Sequence, residues 1–310
     1  MEYIQGIEYH KLITEFTFFL ETTGYAPATV ATRQRNLKEF LLYMTEQGIT
    51  SIKEIQNKHL QSFMEYQHQR ENRVYGSALK TSTINQYGCL LNKLMSYLRD
   101  YKHLYHLSIN IPYIEVQYRE RQTLSYEQIA ELFSFTFEEM KQMRYQTFYG
   151  QRNRAMLCIY YCCGLRKSEG INLEVKDIQN DRLMLHVRKG KGNRERYVPV
   201  TAQTMQLLTE YMHGERARTV RQNETQTEQF FITEFGTPCT GQAMSMVFRS
   251  LIRRCGNSEI RTKHPSLHTL RHSIATHLLQ QGMDIVLIQQ FLGHKTLDTT
   301  QIYTHLINES

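Results

Sequence analysis

At 310 residues the chain is longer than one ordinary domain, and a prior of about 150 residues per domain divides it into two units, each able to bury a core. Lysine and arginine number 37 against 30 acidic residues, so a net charge of +7 and a pI near 9.0 suit a polyanionic partner. A membrane span is excluded because no window approaches 18 consecutive apolar residues, and the six cysteines, which form no CxxC pair, argue against a disulfide framework and a structural zinc.

The N-terminus MEYIQGIEYHKL carries charges where a signal peptide needs an apolar stretch, so the chain reads as soluble and cytoplasmic. Helical spacing begins with Ile13, Phe16, Phe19 and Leu20 and stops at Gly24. Pro27 stands early in a second helix, which carries Val30, Leu37, Phe40, Leu41 and Met44 up to Gly48. A third spans roughly Asn57 to Arg70, with Leu60, Phe63 and Met64. A fourth starts near Thr81 and places Ile84, Leu91, Leu94, Met95 and Leu98 on one stripe. Residues 1–110 therefore form a small helical bundle.

The stretch from Ile109 to Gln122 has no helical period, holds a proline and is rich in polar groups, so residues 111–122 are expected to link this bundle to a second domain at 123–310. Ser125 and Gln128 have the spacing of a capping box ahead of Ile129, Leu132 and Phe133. Further on, Leu183, Leu185 and Val187 alternate, Gly190 and Gly192 bracket a turn, and Tyr197, Val198 and Val200 return: a β-hairpin in a mainly α domain.

Ser266 is placed to cap a helix with Leu267, Leu270, Ile274 and Leu278 on its apolar stripe, and Gly282 to end it in the left-handed conformation. His268 and Arg271, three apart in its first turn, share a face beside the positive end of the helix dipole, where an anion is favoured. His268 and His272 have the spacing of a zinc pair, but the intervening TLR lacks the glutamate of such a motif. A short helix from Asp284 to Leu292 ends at Gly293, setting His294 just past its C-terminus, and Tyr303 follows on one last amphipathic stretch.

The phenol of a tyrosine has an ordinary pKa near 10 and becomes a nucleophile at neutral pH only beside cations or a base. A phosphodiester under attack needs donors around its equatorial oxygens, a need met by arginine forks, histidines and a lysine. GLRKSE (164–169), GKGNRERYVPV (190–200), HTLRHSIATHLL (268–279), LGH (292–294) and TTQIYTH (299–305) follow one another here as they do in the tyrosine recombinases, or phage integrase family. The match looks closest to the Xer-like branch. GYAPATVATRQRNLKEF (24–40) is similar to the SAM-like core-binding domain of that family, so the resemblance covers nearly the whole chain.

What the resemblance implies is a two-domain protein, mainly α with a small β-sheet in its catalytic domain. The family's catalytic arginines fall on Arg166 and Arg271, its lysine on Lys191, its histidines on His268 and His294, and its nucleophile on Tyr303. Lys189 is the rival of Lys191, placed second because the GKG motif centres on Lys191. Arg188, Arg194 and Arg196 are expected to be backbone contacts or solvated charges, His272, His277 and His305 structural or peripheral neighbours, and Glu169 a buried partner that orients the arginine region. The implied reaction needs neither metal nor cofactor: Tyr303 forms a 3′-phosphotyrosyl link and frees a 5′-hydroxyl. The implied partner is double-stranded DNA at recombination sites, clamped between the two domains, with four protomers joining two sites through a Holliday junction.

Two features depart from the Xer pattern. Gly170 stands where the family commonly has an apolar residue, and FTFEEMKQMRYQTFYGQ before Arg152 is longer and more aromatic than usual. Seven residues follow Tyr303, where Xer proteins continue with a helix that docks on the neighbouring protomer; either the tail is shortened or assembly uses other contacts. Gly170 and the tail incline the reading toward a mobile-element or inversion enzyme. The alternatives are a topoisomerase-like protein that nicks and reseals one duplex, and a non-catalytic DNA-binding regulator.

Overall fold

The computed structural model describes residues 7–71, 76–107, 110–116, 122–142, 146–188 and 195–293. The chain divides into two units, Met1–Arg119 and Glu120–Ser310. None of the described helices is long and apolar enough to cross a membrane.

The first unit is built from α1 (Ile7–Thr22), α2 (Pro27–Glu46), α3 (Asn57–Gln69) and α4 (Thr81–Lys102). Pro27 opens α2 at a position where its missing N–H costs nothing. The periodic apolar positions close the core: Leu12, Phe16 and Leu20 of α1, Leu37, Phe40 and Leu41 of α2, Leu60 and Phe63 of α3, and Leu90, Leu91, Leu94 and Leu98 of α4 are all fully buried. Phe63 meets Phe40 edge-on with ring centroids 5.1 Å apart, the geometry that the ring quadrupoles favour. Residues 110–116, in the stretch expected to link the domains, run beside α4. Asn92 donates to the Ile111 carbonyl and accepts from its N–H, both at 2.8 Å, and Asn85 does the same for Ile114 at 2.7 and 3.0 Å. Between them Gly88 leaves room for Ile111, whose Cγ2 would lie 3.2 Å from a Cβ at that position.

The second unit opens on α5 (Tyr126–Gln142), where the Ser125 N–H donates to Gln128 Oε1 and the Gln128 N–H to Ser125 Oγ, completing the expected capping box. It packs on α6 (Gln146–Leu157), which continues into a single π-helical turn, Cys158–Cys162. After α7 (Lys167–Ile171) comes a three-stranded antiparallel sheet in the order β1 (Ile178–Gln179), β2 (Met184–Val187) and β3 (Arg196–Pro199). Strands β2 and β3 pair as the expected hairpin strands, in the register Leu185↔Val198 and Val187↔Arg196, while the expected turn at Gly190 and Gly192 lies outside the described residues. Leu183, expected to start its first strand, instead stands outside it at φ 52° and is exposed, so only Leu185 and Val187 point into the core from that strand.

The remaining helices are α8 (Ala202–Tyr211), α9 (Ala217–Gln222), α10 (Gly241–Cys255), α11 (Ser258–Thr262), α12 (Leu267–Gln280) and α13 (Ile285–Leu292). The core centres on Tyr160, Tyr211, Phe230, Phe231 and Phe248, all essentially inaccessible. All six cysteines are free thiols, with Cys158, Cys163 and Cys239 buried. Gly170 is explained by its neighbour: a Cβ there would sit 2.7 Å from the Tyr160 ring and hydroxyl, so the tyrosine occupies the volume an apolar side chain would need.

Candidate catalytic site

The helix α12 begins as its sequence dictates. Ser266 Oγ accepts from the Thr269 N–H, and Gly282 beyond its end has φ 82°. Leu267, Leu270, Ala275 and Leu279 are buried, and Ile274 and Leu278 of the expected stripe are partly buried against the core. Lys263 Nζ donates to the Thr123 carbonyl and Gln128 Oε1, both at 2.9 Å, and the Leu124 N–H donates to Ser273 Oγ at 2.9 Å. These bonds fix α12 against the start of α5. His268 in the first turn is exposed, whereas Arg271, one turn on, is 4% exposed.

The reason for that burial lies in two other segments. After the π-helical turn the chain reverses at Gly164, at φ 59°, where a Cβ would stand 2.8 Å from Leu292 Cδ2. Only glycine tolerates both the left-handed backbone and the close approach of α13. Arg271 donates through Nη1 to the Gly164 carbonyl and through Nη2 to the Leu292 carbonyl, the latter at 2.6 Å. One guanidinium thus ties the GLR turn to the C-terminal end of α13, where helix carbonyls lack intrahelical partners and the dipole favours a cation.

Arg166 repeats the logic from the opposite side. It is the N-cap of α7, its Nη2 donates to the Gly293 carbonyl at 2.8 Å, and its Nη1 donates to Glu169 Oε1 at 2.7 Å. The Arg166 backbone N–H donates to Glu169 Oε2 at 2.9 Å. Both arginines therefore hold the two residues that directly precede His294. Glu169, whose side chain is 1% exposed, is the hub expected of it, and Arg271 Nη1 lies 4.0 Å from its Oε2.

Arg196 is a correction. Expected as a backbone contact or a solvated charge, it is largely buried and forks both Glu169 oxygens, Nη1 to Oε1 at 3.0 Å and Nη2 to Oε2 at 2.8 Å. The signal was present in the strand alternation: Val200 and Val198 point inward, so Arg196, two residues earlier, points inward too. Its guanidinium lies over Gly293, at φ 65°, where a Cβ would meet Arg196 Nε at 2.8 Å. Arg188 is also no solvated charge, since its Nη2 bonds Glu174 at 2.7 Å and Asp177 at 2.8 Å.

Burial pushes the Glu169 carboxyl up, but the hydrogen bonds and charge of Arg196, joined by the bonds from Arg166, prevail and bring its pKa down to about 2. One carboxylate against three guanidiniums leaves a net charge of plus two on these four side chains, a ready field for an anion. His277 stands in a different role. Burial lowers its pKa, its Nδ1 shares a 2.8 Å hydrogen bond with the Tyr161 hydroxyl, and its ring stacks on Tyr126 at 4.0 Å. Lys189, Lys191, Arg194, His294, Tyr303 and His305 lie outside the described residues. The structure thus brings Arg166, Arg271, Glu169 and Arg196 together.

Comparison with known proteins follows the same outline. A model described as "Phage integrase family" matches residues 123–309, and one described as "Phage integrase, N-terminal SAM-like domain" matches residues 13–104. The tyrosine recombinase XerC of Lacticaseibacillus casei (strain BL23) is 29% identical over 299 residues, covering 96% of this chain and 94% of that protein. XerC of Chlamydia caviae reaches 39% identity over 157 residues, 51% of this chain and 48% of the relative. Among solved structures, the XerH site-specific recombinase bound to palindromic difH substrate, a post-cleavage complex, has a TM-score of 0.68 at 21% identity, over 96% of this chain and 92% of that one. The Tn1549 transposon integrase in complex with transposon right end DNA has a TM-score of 0.66 at 16% identity, over 96% and 94% of the two chains. At these identities the two structures show a shared fold.

Proposed function

This chain belongs to the phage integrase family, the tyrosine recombinases, enzymes that cleave and rejoin DNA, and from that premise we propose that it is a site-specific recombinase working through a covalent 3′-phosphotyrosyl intermediate. The observation that carries this reading is the pair Arg166 and Arg271, each holding a carbonyl of residues 292–293 and both gathered around Glu169. With one N–H of each terminal nitrogen held in this way, the guanidiniums are oriented before substrate arrives and keep their other N–H groups for an anion, which is the condition for stabilising charge as it develops.

In the proposed reaction the Tyr303 oxygen attacks the scissile phosphorus while the bond to the 5′ oxygen breaks. His268, exposed at the start of α12, takes the phenol proton. Arg166 and Arg271 donate to the non-bridging oxygens, and His294 adds a further donor. Lys191 gives a proton to the departing 5′ oxygen. The energy of the broken ester is kept in the phosphotyrosine, so a 5′-hydroxyl from another strand reverses the step without ATP. Arg196 and Glu169 act through Arg166 as positioning residues. Four protomers on two duplex sites would complete an exchange.

The test is a duplex substrate nicked close to the cleavage point, from which the short product diffuses away. A covalent protein–DNA adduct is expected with the wild-type protein and none with Tyr303→Phe. An adduct that persists in Tyr303→Phe overturns the assignment of the nucleophile, and an adduct without exchange between two duplexes favours nicking and resealing.

A further inference from the structure

The buried arginines of the second unit differ in how their charge is met. Arg216, 6% exposed, donates to the carbonyls of Thr227, Gln229 and Phe230, and Arg154, 3% exposed, reaches Glu210 and Thr136. Arg271 has the carbonyls described above. Arg152, in the middle of α6, is 5% exposed, yet its Nε has no hydrogen-bond partner among the described residues. Its guanidinium instead lies over two rings, 5.0 Å from the Phe148 centroid and 5.2 Å from that of Tyr149. Aromatic faces steady a cation and hold its plane, but they do not replace the acceptors that a buried charge requires.

Arg152 lines an open cleft of about 640 Å³. Three more arginines, Arg249, Arg253 and Arg254, reach the same cleft from α10, against one carboxylate, Glu234. Arg249 and Arg253 are exposed, and both also wall an adjoining cavity of about 350 Å³ whose far side is Arg261, His264 and Pro265. Pro265 immediately precedes Ser266, the cap of the helix that bears His268 and Arg271. A basic ridge on α10 therefore runs between the cleft and the start of α12.

We propose that this cleft is a second oxyanion site, distinct from the catalytic arginines, in which Arg152 is the buried anchor and Arg249 and Arg253 are the outer donors for a phosphate group. Planar guanidinium forks match phosphate oxygens, and an anion in the cleft would balance the charge of Arg152, which the described residues meet with the rings of Phe148 and Tyr149 rather than with a carboxylate. The phosphate comes either from the backbone of bound DNA, a source that rests on the proposed function, or from a free phosphate-bearing molecule.

Two measurements decide the matter. In the first, the thermal midpoint of the full chain is followed with inorganic phosphate or pyrophosphate against chloride at constant ionic strength. The wild type is expected to gain stability in excess of that gained by Arg152→Gln, with Arg152→Lys between them; Arg253→Gln, on the exposed face, should lose part of the gain and guards against an Arg152 variant that does not fold. In the second, duplex binding is measured over a range of salt. If DNA is the source, Arg152→Gln lowers the slope of log affinity against log salt by about one. A phosphate effect with an unchanged slope assigns the site to a free anion. Equal phosphate gains in wild type and all variants, with equal slopes, overturn the proposal. Adduct formation through Tyr303 is scored separately, so either reading can fail alone.

Discussion

The two units bury their polar groups on different terms. In the N-terminal bundle the core is mostly apolar, the buried polar side chains Asn36, Gln67 and Asn85 are neutral, and the shortest ion pair among its described residues, Arg70 with Glu39 at 2.6 Å, sits at the edge with side chains 14% and 28% exposed. In the catalytic unit a carboxylate that is 1% exposed gathers three arginines beside the core. A buried ion pair is a poor source of stability, since desolvation offsets most of its attraction, and losing one partner is costly. A fold that merely needed to cohere would do better with the bundle's solution. The Glu169 cluster is better understood as a device for holding two arginines at fixed positions, and the changes that follow separate stability from chemistry on that basis.

The largest effect is expected at Glu169. Glu169→Gln keeps the shape but removes the charge shared by Arg166, Arg196 and Arg271, and should slow single-turnover cleavage at saturating DNA by at least about 100-fold, the scale of losing one oriented donor. Arg196→Gln should lower the same rate by about 10-fold or more, with Arg196→Lys no full rescue, because an ammonium cannot fork both carboxylate oxygens. Phe63→Ala in the bundle removes a fully buried ring and costs about 3 to 5 kcal/mol of stability. Its cleavage rate, measured where the protein remains folded and DNA is saturating, should stay within a few-fold of wild type. A Glu169→Gln variant that cleaves normally would collapse the contrast between the units.

Acid should expose the same difference. The Glu169 pKa of about 2 lies below the ordinary carboxyl value of 4.5, so its contribution is fully present above pH 4.5 and is lost as the pH falls toward 2. That depression corresponds to about 3 kcal/mol. Denaturation midpoints of wild type and Glu169→Gln compared at pH 7, 4.5 and 3 should converge as the solution is acidified. Parallel curves would show that the carboxylate is not what Arg196 and Arg166 stabilise.

Much of this was legible in the chain, and the exceptions have separate causes. The four bundle helices, the Ser125 and Ser266 caps and the β2–β3 hairpin rest on local spacing, which sequence records directly. Strand β1 has two residues and therefore no period to detect. The charge of Arg196 points to solvent, whereas its place in the strand alternation turns it inward onto Glu169. The grip of Arg166 and Arg271 on the carbonyls of residues 292–293 depends on contacts 127 and 21 residues apart in the chain, which no local pattern encodes. Gly170 read as a departure from a family pattern, although its cause, the ring of Tyr160, stands ten residues away.

The smallest expected effect is in the bundle, at the asparagines that hold residues 110–116 to α4. Asn92→Ala removes two neutral hydrogen bonds to Ile111 and should cost about 1 to 2 kcal/mol, since such bonds are worth roughly 1 kcal/mol each. Amide exchange localises the loss. The Ile111 N–H, which donates to Asn92, should exchange about 10-fold faster, while the Ile114 N–H, held by Asn85, should keep its protection. If both amides loosen together, the two clamps form one cooperative strap, and the bundle then resembles the Glu169 cluster in relying on coupled polar contacts. If they loosen separately, the bundle tolerates the loss of individual polar contacts, because its apolar core carries the cohesion that the catalytic unit has partly given over to positioning charge.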